Sequence, residues 1–247
     1  MGLLTAFRFL TVLPLPHREE EPGALGASAA FFPLVGLVLG LALAGLDVLL
    51  RKIWPPEVTS AVLLLALTAL TGALHLDGFM DSCDGLFGSH DPARRMEIMK
   101  DSRVGSFGVL GVACLFLVKY AALLALPDSW RLGALALAPA LGRWAMVLVI
   151  WGFPYARPQG TGRVFKEGVG LEQVAPATLT TVLAALFFLP KAAAPSLFVA
   201  ALSAWLLARF ICTRIPGLTG DSYGAVTETI EVVSLLTLVT CIGVGHG

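Results

Sequence analysis

Long apolar stretches dominate this chain: about Phe31–Leu50, Val58–Leu76, Val104–Leu126, Leu132–Phe153, Gln173–Leu189, Ser196–Ile215 and Glu231–Val244. An α-helix needs about 20 apolar residues to cross the ~30 Å hydrocarbon layer of a bilayer. It is also one of the two structures that satisfy every backbone hydrogen bond internally there. The expected fold is therefore all-α, a polytopic transmembrane helix bundle of about seven spans. The fifth and seventh stretches are short or polar-flanked, which leaves six or eight as alternatives. Composition agrees, because the 247 residues are 57% hydrophobic and 14% charged, against about 45–50% and about 25% in soluble domains. Lys+Arg and Asp+Glu each number 17, so there is no basic excess for nucleic acid and no acidic tail. No repeat or soluble domain interrupts the pattern, and residues 1–247 read as one integral membrane domain.

Residues 1–30 form an N-terminal segment of a different kind. Pro14 and Pro16 interrupt its apolar start and no basic region precedes it, so it reads as an amphipathic or re-entrant piece and not as a signal peptide. Cys83, Cys114, Cys212 and Cys241 are far apart and form no CxxC pair, which predicts reduced thiols and no zinc site.

Charge bias sets the orientation. With the N-terminus in the cytoplasm, the inside segments hold Arg8, Arg18, Arg94, Arg95, Lys100, Arg103, Arg157, Arg163, Lys166 and Arg214, which is ten. The outside loops hold Arg51, Lys52, Arg131 and Lys191, which is four. Lys119, Arg143 and Arg209 lie within spans, where the first two are expected to face the bundle interior and pair with acids or a bound anion. The same alternation places residues 77–103, 154–172 and 214–230 on the cytoplasmic side, and these carry most of the reactive side chains.

The richest segment is HLDGFMDSCDGLFGSHDPARRMEIMKDSRVGSFG, residues 75–108. If the second span continues through it at about 100° per residue, Asp77, Asp81 and Asp84 fall at about 0°, 40° and −20°, with Gly88 at about 20°. Three carboxylates on one face repel one another unless a cation sits among them. Hard oxygen donors suit magnesium or manganese, not zinc or copper. A solvated helix end would need neither the shared register nor the glycines between the acids. His75 falls opposite Asp77 and reads as a packing or hydrogen-bonding residue. Lys100 and Arg103 follow, flanked by Gly105 and Gly108. Arg suits bidentate phosphate contact and Lys a point charge.

A second acidic patch is GLTGDSYGAVTETIE, residues 217–231, where Asp221, Glu228 and Glu231 fall at about 0°, −20° and −80° on one side of a helix. An acid within an apolar run is costly unless it is paired, bound to metal or facing water. The expectation is that this patch faces the same site. The glycine-rich loop 156–170 offers Arg157 and Arg163 either to an anionic substrate or simply to the positive-inside bias.

The motifs HLDGFMDSCDG, RRMEIMKDSRVGSFG and GLTGDSYGAVTETIE, with FLTVLPLP and FFPLVGLVLG near the start, resemble the adenosylcobinamide-GDP ribazoletransferases, also called cobalamin synthases. The resemblance covers nearly the whole chain. Ser82 and Cys83 depart from that family's Asp motif and leave the carboxylates untouched. The resemblance implies a magnesium-dependent enzyme of the bacterial inner membrane that joins adenosylcobinamide-GDP to α-ribazole, or to its 5′-phosphate, and releases GMP. On that basis magnesium is assigned to Asp77, Asp81 and Asp84, and proton acceptance to Asp221 or Glu228. Substrate contacts go to Lys100, Arg103, Arg157, Arg163 and Gly88. A homo-oligomer is left open. The CDP-alcohol phosphotransferases share the chemistry, but their signature continues DGxxAR, whereas Asp84-Gly85 continues LFGS. An ion or anion transporter is the other alternative. Against it, no inverted repeat is visible and the acids gather toward one face.

Overall fold

The computed structural model describes residues 2–16 and 23–244. Arg18 of the charge count and residues 17–22 of the N-terminal segment lie outside the described residues. Twelve α-helices and one 3₁₀ turn, Ala29–Phe31, are present among them. The helices are α1 (Gly2–Leu10), α2 (Ala24–Ser28), α3 (Phe32–Leu50), α4 (Pro56–Leu70), α5 (Leu74–Gly88), α6 (Pro92–Ile98) and α7 (Ser106–Ala125). They continue with α8 (Asp128–Gly152), α9 (Thr161–Gly168), α10 (Leu171–Phe188), α11 (Ala193–Cys212) and α12 (Gly220–Val244). Six segments are long and apolar enough to cross a membrane, with α4 and α5 together as a bent seventh.

The span that the sequence pattern carries from Val58 past Leu76 and on through the acidic motif is broken. Between α4 and α5 the axis turns by 93°. The local chemistry is a Schellman ending: the Ala73 amide donates to the Thr68 carbonyl (2.9 Å) and the Gly72 amide to Ala69 (3.2 Å). Gly72 takes φ 59° and Ala73 φ 58°, a left-handed conformation that glycine adopts freely and alanine only at a cost. The amide of Val12, just after α1, donates to the Leu70 carbonyl (2.9 Å). The N-terminal segment is thereby tied to the end of α4, and α5 turns across the bundle there.

α8 forms the buried centre. Small residues let its neighbours approach closely, as in helix packing within lipid: Gly36 and Gly40 of α3 lie against Pro139 and Ala136, and Gly142 of α8 lies against Thr227 of α12. At the end of α8 away from the acidic motif, Arg131 is buried and donates to Asp47 (2.9 Å), Ser60 (3.0 Å) and the Leu123 carbonyl (2.7 Å). It is therefore part of a packed helix and not of an outside loop. α1 buries Thr5, Ala6 and Leu10 and exposes Leu3. Its Phe9 ring meets Phe32 (5.9 Å) and Phe165 of α9 (4.8 Å).

Candidate active site

α5 and α12 cross at glycines. A Cβ at Gly78 would come within 2.9 Å of the Asp221 backbone, and one at Gly224 within 2.7 Å of the His75 carbonyl. That crossing joins the two acidic motifs. Asp77 is exposed, Asp81 is half-buried, and Asp81 lies within electrostatic reach of Asp77, Asp84 and Asp221. Asp221 stands in the first turn of α12, where a helix N-terminus favours negative charge. Thr219 caps that turn, its hydroxyl accepting from the Ser222 amide (3.1 Å).

The three segments expected on one side do meet. Arg157 donates to Asp221 (2.6 Å) and to the Met99 carbonyl (3.1 Å). Loop 153–160 runs beside 217–219 through Ala156 to Leu218 and Leu218 to Pro154, both 2.8 Å. Arg95 of α6 is buried and donates to the Arg214 carbonyl (2.9 Å).

Asp84 is turned to another task. Its carboxylate accepts the amides of Gly105 and Gly108, both 2.8 Å, and so fastens the start of α7 to α5. Among the described residues, no three Asp, Glu, His or Cys side chains are placed to hold one ion as they stand.

Glu228 and Glu231 do not face the site. Both accept from the Lys119 ammonium, at 2.5 and 2.6 Å, and Glu231 also pairs with Arg143. All four side chains are buried in the bundle. The structure thus places Glu228, a candidate proton acceptor on the sequence, in this network and not beside Asp221. The physical reason is depth: seven residues along a helix is ~10 Å, so Glu228 shares a side with Asp221 but lies two turns further in. Lys119 and Arg143 face the interior and pair with acids, as expected of mid-span cations.

The remaining cations are dispersed. Lys100 is exposed, and Arg103 is 86% exposed and paired with Asp101 (2.6 Å). Hydrogen bonds from the Arg103 guanidinium hold the Asp101 carboxyl down to about 2. Arg163 pairs with Glu167 one turn along α9 (2.5 Å). Lys166 donates to the Ile150 and Trp151 carbonyls (2.9 and 2.8 Å) at the end of α8, and burial lowers its pKa. Gly88 closes α5, where an added Cβ would meet only Ile98 at an ordinary 3.6 Å, so nothing there requires glycine.

Asp77 and Asp221 stand at the edge of a cavity of about 200 Å³. Its walls are Phe9, Phe32, Leu74, His75, Met146, Ile150, Phe165 and Tyr223, with Thr161 and Gly162 of α9 at the side. Sequence reasoning missed this space. Tyr223 was visible two residues from Asp221, but Phe9, Met146 and Ile150 come from helices whose spacing says nothing about convergence.

Over residues 2–239 the chain matches the cobalamin-5-phosphate synthase family. Among similar proteins, the adenosylcobinamide-GDP ribazoletransferase of Geotalea daltonii is 42% identical over 244 residues, covering 95% of each chain. That of Syntrophobacter fumaroxidans is 41% identical, covering 96% of this chain and 97% of the other. That of Desulforamulus reducens is 39% identical, covering 96% of each. No solved structure matches the chain.

Proposed function

The chain belongs to the cobalamin-5-phosphate synthase family, and we propose that it is the membrane enzyme that joins adenosylcobinamide-GDP to α-ribazole, or to its 5′-phosphate, releasing GMP at the cytoplasmic face of a bacterial inner membrane. One observation carries the placement of the chemistry: Asp77, Asp81 and Asp221 gather on one side of the α5–α12 crossing with Arg157 among them, beside a cavity. In the reaction a ribose hydroxyl of the nucleoside attacks the phosphorus borne by the corrin side chain. A new P–O bond forms, the P–O–P anhydride opens, GMP leaves and one proton is released.

The donor set fits a hard divalent cation, since three carboxylates face one guanidinium. Magnesium is commonly held by one or two carboxylates plus substrate phosphates and water, not by an all-protein cage. Asp77 and Asp81 would hold it here, with Asp84 fixing the helix that presents them. When bound, magnesium would neutralise charge developing on the pyrophosphate. Arg157, clamped on Asp221 in the free protein, is placed to turn to a phosphate oxygen, where its planar fork gives bidentate contact. Asp221 is then released to accept the proton of the nucleoside hydroxyl. Lys100, Arg103 and Arg163 stand at the periphery, where they attract an anionic substrate.

The test is GMP release by purified protein in detergent from adenosylcobinamide-GDP and α-ribazole, with magnesium and with chelator. Magnesium-dependent GMP release is expected. Its absence with well-folded protein overturns the assignment. A transporter has no gradient to use in detergent and would release none.

A further inference from the structure

The cavity beside Asp221 is built for something other than a phosphate. Six of its wall residues are apolar: Phe9, Phe32, Leu74, Met146, Ile150 and Phe165. Phe9, Phe32 and Phe165 pack ring against ring, Phe32 to Phe165 at 5.3 Å. Two wall residues are polar, buried and incompletely partnered among the described residues. Tyr223 is 4% exposed and its hydroxyl has no hydrogen-bond partner; His75 is 3% exposed and its Nε2 has none. Arg143 approaches the other ring nitrogen of His75, Nδ1, at 3.4 Å. A guanidinium only donates, so a hydrogen bond at this contact has Nδ1 as the acceptor and leaves the hydrogen on Nε2. Aromatic walls thus stand together with two lining residues, Tyr223 and His75, that each carry a buried polar atom without a partner among the described residues, and an unsatisfied buried polar atom is costly enough to call for one.

At about 200 Å³, the space falls below the about 300–1,000 Å³ of pockets for drug-sized ligands. It has room for a bicyclic ring and none for a corrin. A benzimidazole-type base is apolar except for one ring nitrogen, which accepts.

We propose that this cavity receives the base of the ribazole nucleoside, its free ring nitrogen accepting from Tyr223 or His75 and its carbocycle lying among Phe9, Phe32, Phe165 and Ile150. The proposal rests on the reaction assigned above and deepens it. With the base seated there, the ribose projects to the mouth, where Asp77 and Asp221 stand. The nucleophile's hydroxyl thus arrives beside the carboxylate assigned to take its proton, which binds recognition of the base to the chemistry. The same walls select among bases, because the room around the carbocycle sets which ring substituents fit.

Two substitutions in full-length protein test this, each read by calorimetric binding of nucleoside and by KM for both substrates. Tyr223→Phe removes one hydrogen bond. It should weaken α-ribazole binding and raise its KM about fivefold to tenfold, leaving the KM for adenosylcobinamide-GDP unchanged. For an indole riboside, which lacks the free ring nitrogen, Tyr223→Phe should have no effect. Ile150→Phe narrows the cavity and should disfavour the dimethylated base relative to unsubstituted benzimidazole riboside. A general folding defect would move both nucleosides alike. If either change instead falls on adenosylcobinamide-GDP, or strikes all nucleosides equally, the cavity assignment is overturned. Nucleoside binding weakened by Tyr223→Phe, with no GMP release by wild type, upholds the cavity and sinks the reaction. GMP release with nucleoside binding indifferent to both substitutions does the reverse.

Discussion

Asp81 and Asp221 come from motifs 140 residues apart and meet with one guanidinium between them, yet their surroundings differ. Asp81 has carboxylate neighbours and no ion-pair partner is described for it, whereas Asp221 is bound to Arg157. Asp81→Asn should lower turnover more than about a hundredfold, the scale for loss of an electrostatic partner in group transfer, and excess magnesium should restore part of it. Asp221→Asn should lower turnover at saturating magnesium with the magnesium dependence little changed. Rate against magnesium concentration for both variants separates these outcomes, and exchanged behaviour would exchange the roles. Glu228 belongs to a third class. Losing one partner of a buried ion pair costs about 3–5 kcal/mol, but Lys119 keeps Glu231 and a glutamine keeps a hydrogen bond. Glu228→Gln should therefore lower the melting temperature in detergent, with a magnesium dependence like wild type. A large magnesium rescue would place Glu228 back among the metal ligands.

At the scale of elements, the helical faces read from the sequence hold, and the elements opposite them were not legible. Asp77 and Asp84 share a face of α5, but they are seven residues or ~10 Å apart. The Asp77 end meets α12 while the Asp84 end meets the start of α7. A wheel projection discards that axial separation, so it groups a residue at the α12 crossing with a helix fastener. The break before α5 was legible in Thr71-Gly72, a glycine one residue past a helix end. Apolar residues on both sides made the pattern look continuous. Gly72→Val should be severe: φ is 59° there, and a Cβ would come within 2.7 Å of Val12. Ala73→Gly should be neutral or stabilising by up to about 1 kcal/mol, because it relieves a left-handed alanine. Thermal unfolding of both variants checks this, and tolerance of valine at 72 would remove the bend from what positions the acids.

For the whole molecule, the legible quantity is sidedness. Parity of the apolar helices puts loops 89–105, 153–170 and 213–219 together, and their mutual contacts through Arg157, Arg95 and Leu218 agree. The broken span keeps that parity: α4, 15 residues or ~22 Å long, approaches the site end, and α5 turns aside there without crossing again. The charge count sharpens, since Arg131 is buried against Asp47 and leaves three outside cations, Arg51, Lys52 and Lys191, against the inside set. The expected topology is therefore N-terminus and site in the cytoplasm. Reporter fusions at Gly88, Gly160 and Gly220 should all report cytoplasm, and one at Pro55 should report the opposite side. If α5 were a full span of its own, every later element would invert. Gly88 would then report opposite to the N-terminus, and the arginines of 154–172 would face outward against the positive-inside bias. A split between Gly88 and Gly220 would contradict the α5–α12 crossing itself, and with it a single site built from both acidic motifs.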